Sequence, residues 1–166
     1  MKRAIAVSTI ALVLSVFGDE PYVYEFAPEV VGIPAGEASA SKFVWASDGQ
    51  PSEGGVSYYR HTFTLDAKPF KAMLSKCLDD SGEMYVNGHA CEGHRTVTSY
   101  LQAGQNTIAV VLTNATSVSA AMYLLECTYS SGATSYVHSC TSAVGTVHAP
   151  AAGWEQPNFH DSACLM

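Results

Sequence analysis

Positive charge is what this chain of 166 residues has least of: 8 Lys and Arg stand against 15 Asp and Glu, a formal charge of −7 at pH 7. The basic residues after position 3 (Lys42, Arg60, Lys68, Lys71, Lys76 and Arg95) are scattered, so no basic cluster offsets the acidic balance. That argues against nucleic acid or an anionic membrane surface as partner and leaves neutral ligands as the better match. Helical patterning is missing too. Past residue 18 no stretch keeps a 3.6-residue apolar period bounded by caps, which excludes a helical bundle. No apolar run reaches the roughly 20 residues of a membrane span. Only 2 Trp are present, Trp45 and Trp154, so a dense aromatic cluster at one locus is absent. There is neither an internal repeat nor a long low-complexity tract, and the length suits one domain with a substantial core rather than two.

The first residues read MKRAIAVSTIALVLSVFG. Lys2 and Arg3 precede an apolar run from Ala4 to Phe17, and Val16 and Gly18 are small enough for cleavage before Asp19. This is the pattern of a secretory signal peptide over residues 1–18, with a buried N-terminal strand or helix as the competing reading. Its removal takes away two positive charges and moves the formal charge from −7 to −9. The mature chain is then expected to be secreted, with no membrane insertion, into a compartment where disulfides form. The 5 cysteines (Cys77, Cys91, Cys127, Cys140 and Cys164) are odd in number, so at least one thiol is left over. Cys127 and Cys140 flank the turn-like segment Ser130 to Ser135, and two returning strands would bring them together as a disulfide. The alternative is that Cys127 is a small buried hydrophobe. Asn114-Ala115-Thr116 matches an N-glycosylation sequon and follows a strand at a turn, where an exposed Asn114 is expected.

Residues 19–41 mix aromatic and small residues with Pro21, Pro28 and Pro34, and read as an extended lead-in. From residue 42 to 166, short β-like runs alternate with turn clusters: KFVWA, the loop SDGQPSEGG, VSYYRHTFTLD, KPFKAMLSKCLDD, EMYVNGHAC, RTVTSYL, NTIAVVLTN, AAMYLLECTY and SYVHSC. Strands at such spacing predict a sandwich or barrel. In Arg60 to Leu65, Phe63 and Leu65 fall on one face and Thr62 and Thr64 on the other. Ile108 to Leu112 is apolar throughout, which suits a central strand. The predicted fold class is all-β, with few helices.

The sharpest local signal lies in LDDSGEMYVNGHACEGH, where a strand from Glu83 to Val86 turns at Asn87-Gly88. Asn-Gly is the strongest short hairpin signal, because both residues tolerate the positive φ of a type I′ turn. About twenty residues later SYLQAGQNTIAVVL turns at Gly104 and leads into a further strand. Taken in order, SYYRHTFTL, AMLSKCLDDSGEMYVNG, VTSYLQAGQNTIAVVLTN and GWEQPNFHDSA resemble the galactose-binding-domain-like jelly roll, in particular the accessory β-sandwich domains of bacterial α-L-rhamnosidases and related glycoside hydrolases. The resemblance covers roughly Phe43 to Ala163. It departs from the family at SCTSAVGT, where a Trp is usual, and at Asp161-Ser162-Ala163-Cys164, where the family reads D-S-A-W. In those glycosidases a longer chain carries the catalytic acids, so the resemblance implies an accessory fold without the enzyme. It also places Arg60 at the start of a strand, where an internal salt bridge is expected.

Candidate chemistry is sparse. Glycoside hydrolysis needs two carboxylates on either side of the scissile bond, whereas Asp79 and Asp80 are chain neighbours that diverge in an extended segment. They read as a solvated loop bonding nearby amides, with structural calcium or sugar hydroxyls as the alternatives. His89, Cys91 and His94 form H-x-C-x-x-H, but alternating side chains on a straight strand would not converge on zinc. Sugars stack on aromatic rings while hydroxyls bond neighbouring polar groups. Tyr59 and Tyr85 are read as packing residues, and Trp45, Tyr58, Asp80, His89 and His94 as the ligand-binding candidates near loops at a sandwich end. No cofactor is expected unless calcium is structural. These readings converge on a secreted, non-catalytic carbohydrate-binding module, lectin-like or accessory to a glycoside hydrolase, whose partner is a neutral glycan or glycoconjugate. Two alternatives are a structural or adhesive extracellular protein that binds other proteins, and the truncated N-terminal part of an α-L-rhamnosidase-like enzyme.

Overall fold

The computed structural model describes residues 11–14, 22–25, 41, 44, 46, 51–91, 96–115, 119–140 and 142–160. Ten strands and one short 3-10 turn follow in order: β1 (Ala11–Leu14), β2 (Tyr22–Glu25), β3 (Val56–Leu65), β4 (Lys71–Asp79), β5 (Ser81–Val86), β6 (His89–Ala90), the turn Thr98–Tyr100, β7 (Gly104–Thr113), β8 (Ala120–Thr128), β9 (Thr134–His138) and β10 (Val144–Thr146). β1 and β2 form an antiparallel pair of their own. The rest make a five-stranded sheet, β10-β3-β7-β5-β6, and a three-stranded sheet, β4-β8-β9, antiparallel throughout.

The period-2 pattern of the strands explains why these sheets stack. In the five-stranded sheet Tyr59, Ile108, Val110, Leu112, Met84 and Val86 point inward; from the other sheet Ala72, Leu74, Ala121, Tyr123, Leu125 and Cys127 meet them in one core. The all-β sandwich is therefore observed, and β7 is central as its apolar run predicts, paired to β3 on one side and β5 on the other. Each fully buried Leu, Ile, Val or Met here is worth about 1.5–3 kcal/mol of apolar transfer.

The Asn87-Gly88 turn has φ of 49° and 79°, the left-handed pair that a type I′ turn requires. Asn87 does more than permit the turn. Its Nδ2 donates to the Tyr100 carbonyl and to Asn106 Oδ1, both at 2.8 Å, and its Oδ1 accepts from the Thr107 amide at 2.7 Å.

One predicted strand is not a strand. RTVTSYL contains an isolated bridge from Thr96 to Met73 and then the Thr98–Tyr100 turn. The burial pattern explains it: Val97 and Leu101 are both buried while Ser99 between them is exposed, whereas in a strand all three would share one face. Thr98 Oγ1 accepts from the Ala72 amide at 2.8 Å and fixes the turn against β4.

The expected disulfide between Cys127 and Cys140 is not formed; both are free thiols. The register is the reason. Cys127 lies opposite Ser135 and Leu124 opposite His138, so Cys140 leaves the sheet about five residues further along. At ~3.4 Å per residue that is ~17 Å, far beyond the ~7 Å limit for bridged Cα atoms. Cys127 is instead the small buried core residue of the alternative reading. Asn114 also departs from expectation. It is 1% exposed, and its Nδ2 donates to the Pro51 carbonyl at 2.7 Å. A glycan on that nitrogen would have to break this bond and leave a closed position.

Candidate functional site

Because residues alternate along β3, the outward face of the five-stranded sheet carries Tyr58, Arg60 and Thr62 opposite the core residues Tyr59 and His61. Val144 and Thr146 on β10 join this face beside Arg60 and Tyr58. Across β7, Tyr85 lies in the row of Arg60, and Glu83 in the row of Tyr58.

The chain from Ala151 to His160 crosses this face as an irregular strap, and Arg60 pins it. Arg60 is 3% exposed. Its Nε donates to the Trp154 carbonyl at 2.8 Å, and Nη2 donates to the carbonyls of Gln156 and Phe159 at 2.9 and 3.2 Å. Nη1 donates to Thr62 Oγ1 at 2.6 Å, and the guanidinium carbon sits 5.7 Å from the Phe159 ring centroid. The strap also receives the Gln105 side chain, which donates to the Pro157 carbonyl. These bonds to three strap carbonyls use the planar, five-donor fork of the guanidinium.

The strap creates a site the sheet alone does not have. Trp154 is set edge-on to Tyr58, ring centroids 5.7 Å apart at 90°. Beside them lies a small, shallow recess with room for about one water, open to solvent and lined by Tyr58, Tyr59, Arg60, Val144, Thr146, Pro150 and Trp154. Ligand pockets usually enclose ~300–1,000 Å³, far more than this recess, so a ligand would rest across the two rings rather than inside it. Nothing in the lining is a carboxylate. Further along the face the Tyr85 hydroxyl donates to Glu83, and this bond, ahead of burial, pushes the phenol up to about 12.

The sequence candidates are not brought together. Tyr58 lines the recess. Asp80 is two strands away, at the opposite sheet edge of β7 and beyond the start of β5, where its Oδ2 accepts from the Ala115 amide at 2.6 Å. That is the amide-bonding loop role read from the sequence. His89, exposed on β6, stacks on Tyr100 at 4.6 Å and 15°. Since Asp80 precedes β5 and His89 follows it, the strand's length of ~17 Å separates them. Trp45 and His94 lie outside the described residues. Among the described residues no group of three or more His, Cys, Asp or Glu side chains is placed to hold a metal ion. Nor is any helix among them long and apolar enough to cross a membrane. Trp154 is not among the ligand-binding residues the sequence singles out. Its signal was GWEQPNF, whose Gly and Pro mark an irregular segment, but nothing local says which face such a segment covers.

No protein-family model matches the chain, and no curated protein does so either. Solved structures do. An α-L-rhamnosidase from Streptomyces avermitilis, complexed with L-rhamnose, is 26% identical with a TM-score of 0.65 over 74% of this chain and 14% of the enzyme chain. The lectin of Pleurotus ostreatus, in complex with GalNAc, is 22% identical with a TM-score of 0.62, over 75% of this chain and 41% of the lectin chain. An α-L-rhamnosidase from Aspergillus terreus matches at 16% identity and a TM-score of 0.66, over 74% of this chain and 20% of that one. The chain has the galactose-binding-like β-sandwich fold. It spans well under half the length of each of these relatives, and the likeness to the second and third is one of fold alone.

Proposed function

We propose that this β-sandwich is a secreted carbohydrate-binding module, lectin-like or accessory to a glycoside hydrolase, which recognises a neutral glycan at the Tyr58–Trp154 recess without cleaving it. The observation that carries the reading is the pair of perpendicular aromatic rings, one from the sheet and one from the strap, at the rim of a shallow recess. Trp and Tyr rings stack on the C–H faces of sugars, and the exposed lining is almost wholly apolar, so ring contact carries the recognition. The lining has no carboxylate, so the two-acid machinery of glycoside hydrolysis is not assembled there. The acidic balance of the chain favours neutral over acidic sugars. Similar folds in a GalNAc-complexed lectin and a rhamnose-complexed enzyme support the ligand class. Residues 1–18 serve as the secretory leader in this reading, and no cofactor is required.

A glycan array with the purified chain tests it, followed by titration with L-rhamnose and GalNAc. Binding is expected to be weak, in keeping with a shallow site, and Trp154→Ala should lower it about tenfold, the upper range of one aromatic contact. Absence of binding to every sugar by a chain with intact β-sheet circular dichroism would overturn the proposal.

A further inference from the structure

A second cluster lies away from the recess, at the seam where the chain passes from β9 in one sheet to β10 in the other. Cys140, in that crossover, is partly exposed. Its Sγ is 3.6 Å from His61 Nε2 and 2.9 Å from Ser142 Oγ. His61 comes from β3 and points between the sheets, where its Nδ1 meets the Tyr123 hydroxyl of β8 at 2.8 Å. Three segments distant in sequence thus build a thiol, a base and a group that orients the base. Phe63 and Tyr123 flank the imidazole with centroids at 5.8 and 6.2 Å, and among the described residues its hydrogen bonds go to the Tyr123 hydroxyl and the Cys140 thiol. Burial holds the His61 pKa below its ordinary value, so the ring is neutral at pH 7 and free to take a proton. Burial also pushes up the Tyr123 phenol, which stays protonated, and the thiols of Cys77, Cys91 and Cys127, the last to about 11.

We infer that Cys140 is a His61-activated nucleophilic thiol, a modification site for mixed-disulfide formation with low-molecular-weight disulfides. In the tautomer that donates Nδ1–H to the Tyr123 oxygen, Nε2 presents its lone pair to the thiol and takes its proton. The thiolate attacks one sulfur of R–S–S–R; the bond from Cys140 Sγ to that sulfur forms as the reagent's S–S bond breaks. The departing thiolate carries off the electron pair and recovers the proton from His61 to leave as RSH. Cys140 is oxidised to the mixed disulfide, and the other half of the reagent is reduced to a thiol. Among the described residues no imidazole is hydrogen-bonded to the sulfur of the other thiols: Cys77 and Cys127 sit in strands, and Cys91 donates to the His89 carbonyl at 3.3 Å.

The test uses the full chain carrying Cys164→Ser, reduced, freed of reductant and exposed to excess glutathione disulfide, with intact mass and peptide mapping over time. One adduct is expected, on Cys140, forming at least about tenfold faster than on Cys77, Cys91 or Cys127. Cys140→Ser should abolish this fast phase and His61→Gln should slow it about tenfold. Tyr123 is a positioning residue, so Tyr123→Phe should slow the exchange and move the inflection of the pH–rate profile. If His61→Gln does not fold, the profile of the parent chain decides. An unassisted thiol, with a pKa near 8.5, loses about tenfold in rate per pH unit on acidification, and a base-assisted one falls less steeply between pH 8 and 6.5. The full tenfold fall, equal labelling of all thiols, an unchanged rate in folded His61→Gln, or a protein dimer as the main product would overturn the inference.

Discussion

Arg60 is the residue on which the recess depends, and replacing it by Met tests that dependence while keeping most of the side-chain stem. The substitution deletes the donors to the Trp154, Gln156 and Phe159 carbonyls and to Thr62 Oγ1. Hydrogen bonds from a charged donor are worth about 1.5–3 kcal/mol each, and bonds made with water as the strap lifts return part of that. Thr62 on β3 and Thr107 on β7 lose the guanidinium donors to their hydroxyls, at 2.6 and 3.3 Å. The net loss is expected at about 3–4 kcal/mol, a large share of the ~5–15 kcal/mol of a domain this size. Arg60→Lys keeps the charge but not the fork and should lose about half as much. Urea unfolding followed by far-ultraviolet circular dichroism measures the global loss. Chymotrypsin, which cuts after Trp154 and Phe159, measures release of the strap. If Arg60→Met stays within about 0.5 kcal/mol of the parent and its strap resists chymotrypsin equally well, the anchoring role is refuted.

Asn87 combines a left-handed backbone with three side-chain bonds, so Asn87→Ala is expected to cost about 2–3 kcal/mol and Asn87→Gly about 1 kcal/mol less, since glycine restores only the backbone freedom. Equal losses in urea unfolding would show that the turn geometry contributes nothing of its own. The lowered pKa of His61 gives a pH dependence of definite sign. The unfolded chain binds the proton more readily than the folded one, so this contribution is full above about pH 6.5 and falls on acidification below it. Thermal melts of His61→Gln from pH 7.5 to 5 should show a shallower decline than the parent, and a parallel decline would contradict the assignment. If calcium has no structural role at Asp80, excess EDTA leaves the melting temperature unchanged; a drop of several degrees reversed by calcium would restore the calcium reading.

The elements that were legible are those governed by near neighbours. The Asn87-Gly88 turn, the two-face pattern of β3 and the apolar run of β7 each depend on a few consecutive residues, and each appears as the sequence predicts. The failures share one trait. Whether Cys127 meets Cys140 depends on the β8–β9 register, and the five-residue offset is fixed by how both strands fill the core. Whether Asn114 is exposed depends on the loop near Pro51, 63 positions earlier, folding back to accept its amide. The RTVTSYL segment turns because Val97 and Leu101 both find the core, a tertiary gain that outweighs the β preference of its Thr, Val and Tyr residues.

By itself the sequence determined the class of fold, because period-2 burial and turn chemistry are local, and it determined the acidic, cation-poor character that narrows the ligand, because charge is additive along a chain. Only the tertiary structure decided where a ligand has room. Tyr58 and Trp154 are 96 residues apart, and Cys140 and His61 are 79 apart. Each pair meets only when two sheets have stacked and the last segment has been drawn across the outer face. Arg60 holds that segment through carbonyl oxygens, which every residue carries, so no side-chain pattern in the sequence could announce it.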